Sequence, residues 1–338
     1  MANSVLVVGG IGYLGYNLAL EHTSRGDKVY IVARRSSASK RERLFTELRS
    51  LAKKSILLND LGEKTSIRSS IDAMGCPDIA YLVTGKLTGS LAEMKKAHVD
   101  IPLQWAKVLT QRCKETLIAY VSSVFSAGDP RGCANNSIVH EEEHHLRGCR
   151  QFSNYSITKA EGEKRLLELC ENNGARVAIL RPGLLVGQWA YHREWRLLYK
   201  LSRLHLRLSR GPYLHVTPAR DVARAAMLIR EKTSGCGWYY ATPWRLRLGE
   251  LHSLLSKELG VGSSIPIPVP ASLPLPGSLA RELRAQQGYR IEPYKLNKLG
   301  MKWTSIEEAV AETAEWMKRA WGRAETKPIE RSYSIVIV

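Results

Sequence analysis

The chain has 338 residues, room for one large domain with a lobe or for two domains, and its 44% hydrophobic and 24% charged content excludes a disordered or fibrous chain. No run approaches the roughly 18 apolar residues of a membrane span, and the N-terminus lacks the basic stretch and cleavage site of a secretory leader, so a cytoplasmic protein is expected. The net charge of +18 is spread over the whole length and no nucleic-acid-binding motif accompanies it, so the expected partner is a small molecule, not a nucleic acid.

Val5-Leu6-Val7-Val8 is a continuous apolar run, as a buried parallel strand requires. It leads into Gly9-Gly10-Ile11-Gly12-Tyr13-Leu14-Gly15 and then a helical pattern. Glycines at 9, 12 and 15 permit a tight turn, let backbone approach a pyrophosphate, and let the helix pack on the strand. The helix N-terminus would offer amide hydrogens to the phosphates.

Residues 28–33 read as the second strand. Where an acidic residue would hold a ribose 2′-hydroxyl, this chain has Arg34 and Arg35, whose guanidinium groups suit a 2′-phosphate. The expectation is therefore NADP over NAD. Residues 39–52 read as an amphipathic helix. Residues 56–61 read as a third strand ending at Asp60, which either accepts from an adenine amino group or caps a helix. Residues 79–83 form the fourth strand, with Thr84-Gly85 as its turn where a dinucleotide ribose would lie. A helix follows around 91–110. Residues 117–121 form the fifth strand, ending at Ser122-Ser123, at the end of a central strand where open α/β sheets bind ligands.

The loop 126–153 contains His140-Glu141-Glu142-Glu143-His144-His145, read as a solvated acidic loop with no metal expected. Tyr155 and Lys159 then stand four apart at the start of a helix, on one face. An ammonium near a phenol favours the phenolate, so the pair can move a proton to and from a hydroxyl or carbonyl. Residues 177–180 form a sixth strand before Arg181-Pro182-Gly183. The six cysteines are scattered without a Cys-x-x-Cys and read as reduced thiols, disulfides being open to a hyperthermophile.

These residues together resemble the extended short-chain dehydrogenases/reductases, in the NAD-dependent epimerase/dehydratase superfamily. The markers are Gly9-x-x-Gly12-x-x-Gly15, the Asp60 turn, Ser123, Tyr155-x-x-x-Lys159, Arg181-Pro182-Gly183-x-x-x-Gly187, Asp221-Val222-Ala223 and a terminal Leu299-Gly300-Met301, so the likeness covers roughly residues 4 to 320. It implies a Rossmann-type doubly wound parallel sheet with a smaller, mostly helical C-terminal substrate lobe. The division expected is 1–183 for the dinucleotide domain, 184–325 for the lobe (part of 213–242 returning to the first domain), and 326–338 for a tail.

The resemblance also implies roles. Tyr155 would be the general acid/base, Lys159 would hold the nicotinamide ribose and tune Tyr155, and Ser123 would bond the reacting oxygen. The cofactor would be held by Gly9, Gly12, Tyr13, Leu14, Gly15, Arg34, Arg35, Asp60, Leu61, Val83, Thr84, Gly85, Tyr155, Lys159, Pro182, Gly183 and Leu185. Pro182-Gly183, where sugar enzymes usually carry asparagine, makes the pattern similar to dihydroflavonol-reductase-like and hydroxysteroid-dehydrogenase-like members. Ala127 and His98 also replace residues common in sugar enzymes. The implied function is NADP(H)-dependent interconversion of a carbonyl and a secondary alcohol. Nucleotide-sugar epimerisation or dehydration is the alternative, and a non-catalytic dinucleotide-binding subunit a third reading.

In the lobe, Leu197, Leu201, Leu204 and Leu208 recur at helical spacing beside Arg196, Lys200, Arg203, Arg207 and Arg210. This is an amphipathic helix with a basic face, solvated or facing an anionic substrate tail or a membrane surface. Residues 265–279 are apolar and proline-punctuated, so they cannot form a regular helix. Together the two segments suggest a lipophilic or amphiphilic substrate, with peripheral membrane contact and a homodimer left open. The tail 334–338 is apolar and β-prone.

Overall fold

The computed structural model describes residues 2–129, 138–139, 149–233, 235–269, 284 and 287–322. The His140–His145 loop, most of the proline-punctuated segment and the apolar tail lie outside the described residues.

The core is a seven-stranded parallel sheet. In chain order its strands are β1 (Ser4–Val8), β2 (Lys28–Arg34), β3 (Lys54–Leu58), β4 (Ile79–Leu82), β5 (Leu117–Val121), β7 (Arg176–Pro182) and β11 (Gly237–Ala241). Their spatial order is β11-β7-β5-β4-β1-β2-β3. The chain leaves β1 toward β2 and β3, then returns to place β4 on the other side of β1. That reversal opens a crevice at the carboxyl ends of β1 and β4, the switch point where such sheets bind ligands.

Both faces of the sheet are covered, which is why its strands are apolar at every position and not only at alternate ones. Val5 and Val7 face one layer, with Leu18 of α1 (Tyr13–Ser24), Val222 of the later helix Asp221–Lys232 and Val310 of Ile306–Trp321. Leu6 and Val8 face the other. There they meet Ile67 of Lys64–Met74, Trp105 of Ile101–Arg112 and Leu166 of Asn154–Asn173.

Three elements differ from the sequence reading. The helix expected over 39–52 is two, α2 (Arg35–Lys40) and α3 (Glu42–Leu51), broken at Arg41, whose backbone leaves the helical region. The helix α4 is Lys64–Met74. The helix expected around 91–110 runs from α5 (Leu91–Lys95) through a widened π turn at Lys96–Asp100 into α6 (Ile101–Arg112). The basic amphipathic helix is shorter than its leucine spacing suggests. After α7 (Asn154–Asn173), the helix α8 is Arg193–Arg203, and His205 takes a left-handed φ of 55° that ends it. Arg207, Leu208 and Arg210 instead lie in strand β9 (Leu206–Arg210), paired in parallel with β13 (Ile265–Val269).

The rest of the lobe is a small sheet of β8 (Leu184–Val186), β10 (Tyr213–Pro218) and β12 (Trp244–Arg247), with helix α10 (Leu248–Glu258). Helix α9 (Asp221–Lys232) leads back to β11, so the chain between the lobe strands re-enters the main sheet. A short pair, β6 (Ile138–Val139) with β14 (Arg290–Ile291), and helices α11 (Tyr294–Lys298) and α12 (Ile306–Trp321) complete the described elements.

The expectation of reduced thiols is not met. Cys76 pairs with Cys113 and Cys170 with Cys236, with Cα atoms 5.4 Å and 6.0 Å apart, and no described cysteine is free. The pairs are 37 and 66 residues apart in sequence. Cys76 precedes β4 and Cys113 ends α6, and the parallel β-α-β return brings both to the amino ends of the central strands β4 and β5.

Candidate active site

The glycine-rich turn joins β1 to α1. Gly9 has a φ of 83°, and a Cβ there would meet the Thr84 side chain at 2.8 Å, so only glycine lets the ends of β1 and β4 approach this closely. A Cβ on Gly15 would meet the Gly10 carbonyl oxygen at 2.0 Å, which is the helix-on-turn packing expected of the third glycine. A Cβ on Gly12 would meet nothing within 4 Å, and α1 begins at Gly12 with no side-chain cap. Open space in front of an uncapped helix N-terminus fits the pyrophosphate of a dinucleotide.

Around that turn, Leu14 is half-buried and Tyr13 is buried, and the Tyr13 hydroxyl donates to the Leu185 and Gly187 carbonyls. This ties the turn to the segment after Gly183. Arg41 donates to the Ile11 carbonyl at 2.7 Å, a contact with no signal in the sequence. Val83, Thr84 and Gly85 follow β4, where Thr84 donates to the Ala97 carbonyl. Leu61 is buried and its carbonyl accepts from the Trp105 indole. Asp60 accepts from the Gly62 amide and from Lys96, which together with Arg34 hold its carboxyl below the usual range.

At the end of β5, Ser123 caps a short turn, its hydroxyl accepting from the Phe125 amide. Tyr155 lies in the first turn of α7, where a reciprocal cap between Ser153 and Ser156 fixes the helix start. The Ser123 hydroxyl lies near enough to the Tyr155 phenol to act on its ionisation. Lys159 is buried on the same face of α7 and donates to the Val121 carbonyl at 2.7 Å, with its ammonium 6.0 Å from the Tyr155 ring centre.

The electrostatics differ from the simple reading of a lysine lowering a tyrosine. Burial pushes the Tyr155 phenol up to about 12, opposed only by the Ser123 hydroxyl. Burial also brings the Lys159 ammonium down to about 7, with Glu163 acting the other way. Lys159 is thus poised between its charged and neutral forms near neutral pH, while Tyr155 is held as the phenol.

Two neighbours, Glu163 and His98, were given no role in the site by the sequence reading. Glu163, one turn beyond Lys159, is fully buried and grips the equally buried Arg181 of β7 through Nε and Nη2. Ser126 donates to Glu163, and Arg181 donates to Tyr240 of β11. This network ties α7 to β7, β11 and the turn after Ser123. The four-residue step from Lys159 to Glu163 was its readable signal.

The second is His98, in the π turn. Its Nε2 accepts from the Lys86 amide, so Nδ1 carries the proton and donates to Thr158 Oγ1 at 2.7 Å. The ring meets Tyr155 edge-on, with centroids 5.4 Å apart. Burial and the nearby Lys159 bring its pKa down to about 2, so the imidazole is neutral.

Pro182 ends β7. The Gly183 amide donates to Thr217, and a Cβ at Gly183 would lie 2.1 Å from the His215 carbonyl oxygen, so this crossing to the lobe requires glycine. Among the described residues no group of His, Cys, Asp and Glu could hold a metal ion, and no helix is long and apolar enough to cross a membrane.

Residues 5–234 match the family model described as the NAD dependent epimerase/dehydratase family. The chain belongs to that family, and it is an NAD(P)-dependent oxidoreductase or epimerase/dehydratase. It is 24% identical over 269 residues to vestitone reductase of Medicago sativa, covering 75% of this chain and 81% of that one. It is also 24% identical over 327 residues to cinnamoyl-CoA reductase 1 of Arabidopsis thaliana, covering 92% and 88%. Among solved structures, the Bordetella bronchiseptica enzyme WbmG in complex with NAD and UDP superposes with a TM-score of 0.71 at 15% identity, covering 95% of each chain. A dTDP-glucose 4,6-dehydratase from Bacillus anthracis in complex with NAD gives 0.71 at 13% identity, covering 95% and 98%.

The expected preference for NADP is overturned, because these structurally similar enzymes are captured with NAD. Arg34 and Arg35 do not stand alone at the end of β2. Arg34 stands close enough to Asp60 to act on its carboxylate, so the site is not purely cationic, and both arginines are exposed. The weight of the structural likenesses also falls on the epimerase/dehydratase alternative, above the net carbonyl reduction first expected.

Proposed function

We propose that the chain uses NAD to move hydride to and from a carbinol carbon of a nucleotide-linked sugar, as an epimerase or dehydratase does, with Tyr155 moving the proton of the reacting hydroxyl. The observation that carries this reading is the meeting of Tyr155 with Ser123 and Lys159 beside the glycine-rich turn. When bound, the nicotinamide supplies the hydride acceptor and donor. The glycine turn and the α1 N-terminus would hold its pyrophosphate, and Thr84, Gly85, Lys159 and Gly183 its nicotinamide half.

Tyr155, as phenol, is ready to protonate an oxyanion. To act as a base it must lose its proton, and here the nearby Ser123 hydroxyl favours the phenolate. Protonation of Lys159 adds a positive charge on the same side. Buried Glu163 keeps that charged form accessible near neutral pH.

The nucleotide end of the substrate is supported by the lobe. Tyr213, His215, Arg245 and Arg247 share one face of the small sheet, since Tyr213 pairs with Arg247 and His215 with Arg245. The Ile291 amide donates to His215, and Ile291 packs on Val124, so this face turns toward the Ser123 turn. Two guanidinium groups stack on the Tyr213 ring, that of Arg245 3.8 Å and that of Arg247 4.3 Å from its centre. The Arg245 Nε is buried and has no hydrogen-bond partner, which suits an anionic group.

A second reading, net reduction of a non-sugar carbonyl, is favoured by the likeness in sequence to vestitone reductase and cinnamoyl-CoA reductase 1 and by Pro182-Gly183. Purified protein given UDP- or dTDP-hexoses with a trace of NAD separates the two. Epimerised or dehydrated sugar without net NADH formation supports the first reading. Stoichiometric consumption of reduced dinucleotide with vestitone or cinnamoyl-CoA, and inert sugars, would replace it with the second.

A further inference from the structure

The outer face of α8 carries a feature the proposed chemistry does not use. Arg193, Leu197, Lys200 and Leu204 follow at helical spacing and are all exposed, Leu197 by 54% and Leu204 by 67%. The turn at His205 brings the start of β13 to the same corner. The Ile265 amide donates to the His205 carbonyl, and Ile265 is itself 66% exposed, followed by exposed Pro266 and Pro268. Three large aliphatic side chains thus stand in solvent at one end of the lobe, set among Arg193, Arg196, Lys200 and Arg203.

Those charges are not neutralised locally. Among the described residues none of the four is in an ion pair, and Glu194, the acid of the same helix, is turned inward to act on Tyr13. The inner face of α8 is anchored by Trp195 and Leu198, both buried in the main core, so the outer stripe is held rigidly.

The composition of the patch discriminates between partners. Protein interfaces enrich aromatic residues and deplete lysine at their centre. Here no aromatic is exposed in the stripe, and Lys200 lies between the two leucines. Shallow aliphatic groups spaced among basic side chains are what the headgroup region of an anionic bilayer accepts, the apolar tips inserting and the long basic chains reaching the phosphates. The overall charge of +18 adds attraction to such a surface.

We propose that the α8–β13 corner is a docking surface for an anionic lipid membrane. The proposal is independent of the substrate and of the Tyr155 chemistry. The test is co-sedimentation of the full chain with vesicles of phosphatidylcholine alone or of phosphatidylcholine with phosphatidylserine, at low and high salt. Binding is expected only to the anionic vesicles and should weaken at high salt. Two surface variants, Leu204→Glu with Ile265→Glu, and Lys200→Glu with Arg203→Glu, should each weaken it roughly tenfold or more, while NAD binding stays that of the parent chain.

No binding to anionic vesicles, equal binding to neutral ones, or variants that bind like the parent would overturn the proposal. So would a shift of the parent from oligomer to monomer on introducing the leucine–isoleucine changes without any vesicle binding, since the corner would then be a contact between protein chains.

Discussion

Lys159 donates to the carbonyl of Val121, the last residue of β5, across 2.7 Å, and this bond sets the ammonium between the end of the strand and the Tyr155 ring. The strand end thereby positions the charge beside the phenol. Burial lowers the Lys159 pKa from the ordinary 10.5 to about 7, so between those values the folded chain binds fewer protons at this site than the unfolded chain. Stability therefore rises with pH across that window, and the penalty for a buried ammonium is fully present below it. Urea unfolding across pH 7 to 10 should show that rise. Lys159→Met should flatten it, and an unchanged pH slope in the variant would contradict the assignment.

The Glu163–Arg181 pair gives a second expectation. Both groups are fully buried, so Glu163→Gln leaves a guanidinium charge without its counter-charge and should cost about 3–5 kcal/mol in denaturant unfolding. The same change removes the group that raises the Lys159 pKa, so the pH-dependent rise should begin lower than in the parent. A loss of stability without that displacement would mean that Glu163 is structural and does not tune Lys159.

His98 links the turn after β4 to α7, the helix that carries Tyr155 and Lys159. His98→Ala would leave the buried Thr158 hydroxyl without its donor, at about 1–3 kcal/mol, and the amide of exposed Lys86 without its acceptor at a smaller cost. His98→Asn retains one donor and one acceptor and should recover part of the loss. If alanine and asparagine behave alike in thermal unfolding, the two hydrogen bonds carry no stability.

Much of this was legible in the sequence because it is local. The unbroken apolar strands, the glycine turn, the strand-end Ser123 and the four-residue step from Tyr155 to Lys159 are each contained in a few residues, and the parallel sheet follows from their alternation with helices. What was not legible depends on neighbours distant in the chain. Asp60 stands beside Arg34 because β2 and β3 pair, and this weakens the 2′-phosphate argument. The leucine period continued past Arg203, yet a left-handed His205 and pairing with Ile265–Val269 turned the next residues into a strand. The direction of the Tyr155 shift also escaped, because burial raises it and outweighs the Ser123 hydroxyl, while the Lys159 ammonium is engaged by Val121.

The cysteine pairs are the clearest case of distant contacts, since 37 and 66 residues separate the partners. Closing loops of that size typically contributes about 2–4 kcal/mol each, so a reducing agent should lower the midpoint of thermal unfolding by several degrees. Alkylation of the unfolded, unreduced chain should leave Cys76, Cys113, Cys170 and Cys236 unlabelled. Full labelling of these four without reduction would contradict the pairing.

The central claim is that Tyr155 transfers the proton while the dinucleotide is held independently by the glycine turn. Its most direct test is turnover of Tyr155→Phe against the parent chain on the nucleotide sugar that the parent converts, with NAD affinity measured on the same preparations. Turnover should fall by about 10²–10⁴-fold with NAD affinity nearly unchanged. Turnover within a few-fold of the parent, or a loss explained wholly by failure to bind NAD, would contradict it.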